Sequence, residues 1–170
     1  MAGMSVLTTD RLVLAPLSLA LIRRRLAADN FALDIAAVGT VQFGPTWPGD
    51  ALAMFPSFLS AAIDPVPLSF VAIDRETARV VGQLGATSEP SDGGEIEIGY
   101  GFGVAGHGYA TEAVAALVAH LLDTAYISVV TANTAVENLA SQRVLEKNGF
   151  AQVDRSWNEE DGDLLVWRRA

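Results

Sequence analysis

The chain of 170 residues contains no cysteine. That absence excludes disulfides, iron–sulfur clusters, thiolate zinc sites and catalysis through a thiol nucleophile. Positive charge is scarce as well: 11 Lys and Arg stand against 20 Asp and Glu, for a formal net charge of -9. Nucleic-acid binding draws most of its affinity from neutralising phosphates, so an acidic chain with scattered basic residues is not expected to bind nucleic acid. Histidine occurs only as His107 and His120. With two histidines and no cysteine, neither a metal cluster nor a Ser/His/Asp arrangement can be argued. Long apolar runs are missing too. The most apolar stretch, Ala113 to Leu122, holds His120 and falls short of the ~20 residues that cross a bilayer. No basic residue precedes Arg11, so the start of the chain lacks the pattern of a secretory signal. The expectation is a cytoplasmic protein with small-molecule or cationic partners and no membrane association.

What is present reads as one continuous αβ domain over residues 1–170, with no internal repeat and no low-complexity tract. Residues 11–15 form a first strand. Ser18 is placed to cap a helix whose apolar face is Leu19, Ile22 and Leu26, with Arg23, Arg24 and Arg25 on the wet side. The signal weakens from Phe31 to Pro48. Asp50 can then cap a helix from Ala51 to about Ile63, facing Leu52, Phe55 and Leu59 inward, where Pro56 predicts a kink or an early stop. A hairpin follows over 69–73 and 79–85. The next strand, Glu95 to Tyr100, alternates strictly, with Ile96 and Ile98 on one face and Glu95 and Glu97 on the other. Ala110 to Thr124 is the clearest helix, striped by Val114, Leu117, Val118 and Leu121. A strand at 127–131, a helix from about Val136 that stops at Asn148-Gly149, and two strands at 150–153 and 164–167 complete an α+β or mixed-sheet α/β pattern.

Chemistry concentrates in two segments. Between the strand ending at Tyr100 and the helix starting at Ala110 lies Gly101-Phe102-Gly103-Val104-Ala105-Gly106-His107-Gly108-Tyr109. A strand that feeds a helix through glycines presents backbone N–H groups at a positive helix start, which suits a phosphate or pyrophosphate. Gly101, Gly103 and Gly106 also match the dinucleotide pattern Gly-x-Gly-x-x-Gly. That match is weak, because the following strand carries no acidic residue at its end to hold a ribose. The second segment is Asn138-Leu139-Ala140-Ser141-Gln142-Arg143-Val144-Leu145-Glu146-Lys147-Asn148-Gly149-Phe150.

Together these segments resemble the GCN5-related N-acetyltransferases (GNAT), in their ribosomal-protein-alanine acetyltransferase-like branch. The resemblance also draws on Leu7-Thr8-Thr9-Asp10-Arg11-Leu12-Val13-Leu14 and on the Glu97-Ile98-Gly99-Tyr100 strand. It implies a GNAT fold: a central, mixed but mostly antiparallel sheet of roughly six or seven strands flanked by helices, whose fourth and fifth strands splay to admit acetyl-CoA. It further implies that the backbone from Gly106 through His107, Gly108 and Tyr109 to Ala110 holds the pyrophosphate, with Thr111 nearby. The pantetheine arm would pair with Phe102, Gly103 and Val104. Asn138 would bind the pantetheine or an ordered water, and Ser141 would approach the sulfur.

An amine attacks a thioester only when neutral, yet alkyl ammonium groups have a pKa near 10, so a base or a water chain must remove a proton. Glu97 is the candidate base and Ser141 the candidate donor to the leaving thiolate, since Leu145 stands where many relatives carry a tyrosine. A backbone N–H of the splayed strand would meet the oxyanion. Two departures stand out: Gly103 replaces a common Gln or Arg, and Asn133 occupies a place where a number of relatives carry a catalytic glutamate. Other readings stay open. Glu97 could be a solvated strand residue or could pair with a nearby arginine, and Asn138 and Ser141 could serve only as helix-start and backbone-bonding residues. His107 reads as a loop residue near phosphate, and His120 as structural. The expected partners are acetyl-CoA and an amine acceptor, with a homodimer as the default assembly. A CoA-binding sensor without catalysis is the alternative, and a dinucleotide binder a lesser one. Phe43, Trp47, Phe55 and Phe58 read as core or as an acceptor cage.

Overall fold

A computed structural model describes residues 4–103 and 107–170. Two compact units divide the chain, one comprising residues 1–85 and 100–113, the other residues 86–99 and 114–170. In the first, a two-residue strand β1 (Leu7–Thr8) pairs antiparallel with β2 (Leu12–Pro16). Helix α1 (Leu19–Ala27) follows, and the Ser18 hydroxyl accepts from the Leu21 N–H at 3.1 Å, satisfying one donor that the first helical turn would otherwise leave open. Where the sequence signal fades, the chain forms an antiparallel hairpin of β3 (Phe31–Ile35) and β4 (Gly39–Phe43).

A 3-10 turn at Gly49–Met54 leads into α2 (Phe55–Ala61). Pro56 therefore neither kinks nor stops a helix; it lies in the first turn of one, where its missing N–H costs nothing. Strands β5 (Ser69–Asp74) and β6 (Arg79–Ala86) form the expected hairpin, and β5 also pairs with β2.

The core of this unit gathers Leu17, Ile22, Val41, Phe43, Trp47, Phe55, Val71 and Ile73. Its aromatics form a chain: Phe31 stacks on Phe43 at 4.7 Å, Phe43 meets Trp47 edge-on at 4.9 Å, and Trp47 lies 5.6 Å from Phe55. Such pairs add about 0.5–1.5 kcal/mol each beyond their burial. Phe43, Trp47 and Phe55 are thus core residues rather than an acceptor cage, and Phe58 packs against them.

Two expectations for α1 fail for one reason. Leu26 is exposed, and Arg25 is buried instead. Its Nε donates to the Trp47 carbonyl at 2.7 Å, one terminal nitrogen to the Pro45 carbonyl at 3.3 Å, and the other to Asp29 at 2.8 Å. The guanidinium supplies donors to a loop that offers carbonyls and no side-chain partner, so burial of its charge is compensated.

In the second unit, the N-terminal part of β7 (Glu95–Phe102) pairs in parallel with β8 (Val129–Ala135), from Glu95 opposite Val129 to Ile98 opposite Ala132. Helix α3 (Tyr109–Leu122) connects them, as a parallel pair requires. Its stripe of Val114, Leu117, Val118 and Leu121 is fully buried. Helix α4 (Leu139–Lys147) ends at Gly149, whose φ of +78° is the left-handed conformation that closes a helix. Strands β9 (Ala151–Asn158) and β10 (Gly162–Arg169) form a hairpin longer than expected, and β10 pairs antiparallel with β8. Ten strands appear among the described residues, more than the six or seven expected, because β1 and the β3–β4 hairpin carry too little periodicity to be read. The mixed α/β class stands.

The Arg25 geometry makes a prediction. R25A leaves two carbonyls without their donor and should cost about 1–3 kcal/mol in urea unfolding, whereas D29A, which removes only an exposed partner, should cost no more than about 1 kcal/mol. Equal losses for the two variants would contradict this role for Arg25.

Candidate functional site

In the second unit the candidate base is held by two donors. The Glu97 carboxylate accepts from the Thr87 hydroxyl at 2.7 Å through Oε1 and from Asn133 Nδ2 at 2.9 Å through Oε2. Backbone register produces this. Glu97 lies opposite Thr131 in the parallel ladder, so Asn133, two residues further along β8, falls on the same face. Thr87 is tied to the strand by its own N–H, which donates to the Glu97 carbonyl at 2.9 Å. Among the described ion pairs, no arginine reaches Glu97. Each carboxylate oxygen keeps a second acceptor position for a water or an amine. Asn133, which looked like the loss of an acid, is here the donor that orients one. A glutamate in its place would set two carboxylates against each other.

Also in this unit, Asn138 caps α4: its Oδ1 accepts from the Ser141 N–H at 3.1 Å. The helix-start role is thus present. It leaves the Asn138 carboxamide N–H groups as the donors that a ligand carbonyl could use. Structure brings Asn138 and Ser141 together, and it brings Glu97 together with Asn133 and Thr87. Thr87 carried no signal in the sequence, since its role arises only from pairing across ten residues of chain.

The first unit contains the glycine turn. Val104, Ala105 and Gly106 lie outside the described residues, so the expectations for Val104 and Gly106 find no description here. The Gly103 N–H donates to the Val81 carbonyl at 3.2 Å. It is therefore spent on β6 rather than offered to a ligand, and strand alternation turns the N–H and C=O of Phe102 to the opposite edge. The Phe102 ring rests on Gly82, where an added Cβ would come within 2.4 Å of it.

Past the undescribed residues, the turn is held by a polar knot. Glu112, in the first turn of α3, accepts from the Arg11 N–H at 2.9 Å and from Arg11 Nε at 2.7 Å, and also from the Thr9 hydroxyl. Another Arg11 nitrogen donates to the His107 carbonyl at 2.6 Å. The guanidinium lies 4.7 Å from the centre of the Tyr109 ring, which in turn is stacked on the His107 ring. The Tyr109 hydroxyl donates to Asp74 Oδ2, and Asp74 Oδ1 accepts from the Glu76 and Thr77 N–H groups at 2.9 Å each. Gly108 has φ +73°, so this turn requires glycine. Ala110 and Thr111 follow Tyr109 in the first turn of α3. Among the described residues no cluster of metal-ligating side chains occurs, and no helix is long and apolar enough to cross a membrane.

The knot leaves an electrostatic signature. The Tyr109 hydrogen bond, against burial and with the two N–H groups of the turn, holds Asp74 below the ordinary 3.8. Burial pushes Glu112 up, but the bonds from Thr9 and Arg11 outweigh it and leave it below the ordinary 4.5. Asp74 raises Tyr109 above its usual range.

A model of the acetyltransferase (GNAT) domain matches residues 11–151. YjdG of Bacillus subtilis (strain 168), named an uncharacterized N-acetyltransferase, is 33% identical over 84 residues, which are 48% of this chain and 50% of that protein. The matched part thus spans about half the length of that curated relative. Among solved structures, RimL, the ribosomal L7/L12 alpha-N-protein acetyltransferase in complex with coenzyme A, is similar with a TM-score of 0.69 at 16% identity, covering 97% of each chain. An acetyltransferase (GNAT family) from Bacillus anthracis gives 0.67 at 17% identity, covering 97% of this chain and 98% of that one. At such identities the structural likeness shows the fold.

Depressed carboxylates stabilise the folded state above their ordinary values, and that contribution is lost as pH falls through their folded values. Below about pH 4, then, the wild type should lose stability more steeply than Y109F, which lacks the largest cause of the Asp74 shift. Thermal unfolding between pH 7 and 3 measures this; parallel curves for the two proteins would contradict it.

Proposed function

Because the chain belongs to the acetyltransferase (GNAT) domain family, we propose that it is an N-acetyltransferase that moves the acetyl group of acetyl-CoA onto a primary amine by direct attack, with Glu97 as the base. The acceptor class is a protein N-terminus or a small cationic amine. What supports the reading above all is the Glu97 carboxylate, held by Thr87 and Asn133 on the strand where the parallel ladder ends at Ile98. A carboxylate oriented by two neutral donors keeps its remaining acceptor positions, as removal of an ammonium proton demands.

Under this reading Glu97 takes the proton of the acceptor through a water, and the free amine forms the new C–N bond. The Phe102 N–H, turned away from β6, meets the oxyanion. As the C–S bond breaks, the Ser141 hydroxyl gives its proton to the leaving thiolate and is reprotonated by the second proton that the amine nitrogen sheds on becoming an amide. No covalent enzyme intermediate forms, because the chain has no cysteine to carry one. His107, Gly108, Tyr109, Ala110 and Thr111 hold the substrate's pyrophosphate, together with Gly106. Phe102, Gly103 and Val104 line its pantetheine arm, and Asn138 binds a pantetheine carbonyl through its N–H groups. The fit is chemical: the turn offers amides at a helix start and a glycine conformation that no Cβ obstructs. Residues 1–170 work as one domain in the cytoplasm.

The acidic balance of the chain sharpens the choice of acceptor. A net charge of -9 opposes a polyanionic substrate and favours a cationic amine. Binding of acetyl-CoA therefore leans on local amides, while the acceptor gains from the general field.

Release of free thiol from acetyl-CoA across a panel of primary amines tests the proposal. E97Q should lower the rate with the best amine by about 10²- to 10⁴-fold while CoA still raises the melting temperature. Stabilisation by CoA without any amine-dependent thiol release would leave a CoA-binding protein, and stabilisation by NAD alone a dinucleotide binder. A second outcome concerns Asn133. N133D sets a carboxylate beside Glu97, so the acid limb of the rate profile should move to higher pH. An unmoved limb would remove Glu97 from the proton transfer.

A further inference from the structure

The His107–Gly108 peptide does not set its own orientation. A trans peptide points its carbonyl and its N–H in opposite directions. Arg11 draws the His107 carbonyl toward itself at 2.6 Å, and so the N–H of Gly108, in the same peptide unit, is turned to the other side. The guanidinium that does this is fixed in turn. Its Nε bonds Glu112, its own backbone N–H bonds the same carboxylate, and Thr9 adds a third donor.

The assembly is anchored on the β5–β6 hairpin. Arg75 donates to the Thr9 carbonyl at 2.9 Å, its N–H donates to the Arg11 carbonyl at 2.9 Å, and Tyr109, beneath the guanidinium, reaches Asp74. A Cβ on Gly108 would come within 3.3 Å of an Arg11 terminal nitrogen, so the glycine also makes room for the guanidinium.

The geometry points to Arg11 as a positioning residue for acetyl-CoA: braced on Glu112, it orients the His107–Gly108 peptide so that the N–H faces the incoming phosphates. This rests on the reading that those phosphates meet the turn. Arg11 acts twice. It aims the amide, and it neutralises Glu112, whose bare carboxylate in the first turn of α3 would repel an anion there. Its charge alone is not enough. A lysine has one ammonium group and cannot bond the Glu112 carboxylate and the His107 carbonyl in the fork geometry of a guanidinium.

Steady-state kinetics of R11A and R11K, with CoA-induced shifts in melting temperature, test the inference. R11A should raise the KM for acetyl-CoA about tenfold or more, with kcat within about twofold and the KM for the amine unchanged, the pattern of lost ground-state binding. R11K should keep most of that defect, because the peptide is no longer aimed, and its retained charge guards the test should R11A fail to fold. E112Q should shift the KM for acetyl-CoA in the same direction, since Arg11 then loses its charged anchor. Wild-type KM and thermal shift in R11A, or full rescue by R11K, would overturn the assignment. A wild-type protein that neither binds CoA nor releases thiol would instead overturn the acetyltransferase reading, and this inference with it.

Discussion

One carboxylate organises the part of the molecule that a phosphate would meet. Glu112 takes three hydrogen bonds from Thr9 and Arg11, residues about a hundred positions earlier, and so ties the start of α3 to the turn between β1 and β2. An acidic side chain in the first turn of a helix complements the exposed N–H groups there. Left charged and bare, it would also compete with any anionic ligand for the same groups. Pairing with Arg11 resolves the conflict, because the knot is close to neutral and the amides remain the positive element. Gly108, the His107 carbonyl and the Tyr109 ring all lie against that guanidinium.

Neutral donors solve the corresponding problem around Glu97. Thr87 and Asn133 orient the carboxylate without adding charge. A lysine or arginine there would hold the carboxylate in an ion pair and compete with a cationic acceptor for it. The two clusters thus differ in kind: a full ion pair holds Glu112, and neutral hydrogen bonds hold Glu97. Net negative charge over the whole chain is compatible with both, because it acts at long range while the knot acts at contact.

Much of this was legible in the sequence, and the failures share a cause. The α3 stripe, the alternation of β7 and the Asn148-Gly149 stop are local patterns, and local patterns read well. Glu97 was singled out because it opposes Ile96 and Ile98 on a strand whose period is unmistakable. Its partners were not, since Asn133 reaches it only through a register set by the parallel ladder. Arg25 reads as exposed because three adjacent arginines look like a solvated face, and only the folded loop at Pro45–Trp47 presents the carbonyls that make burial of one of them favourable. Arg11 reads as an ordinary strand residue in the run from Leu7 to Leu14, while Glu112 lies in the first turn of α3. Nothing local connects them.

A crystal structure of the protein with CoA bound tests the account most directly. The account predicts pyrophosphate oxygens within hydrogen-bond distance of the Gly108 N–H and its helical neighbours, with Arg11 still bonded to both Glu112 and the His107 carbonyl. Phosphates bound elsewhere on the chain, or a His107 carbonyl released from Arg11 and turned toward the ligand, would contradict it.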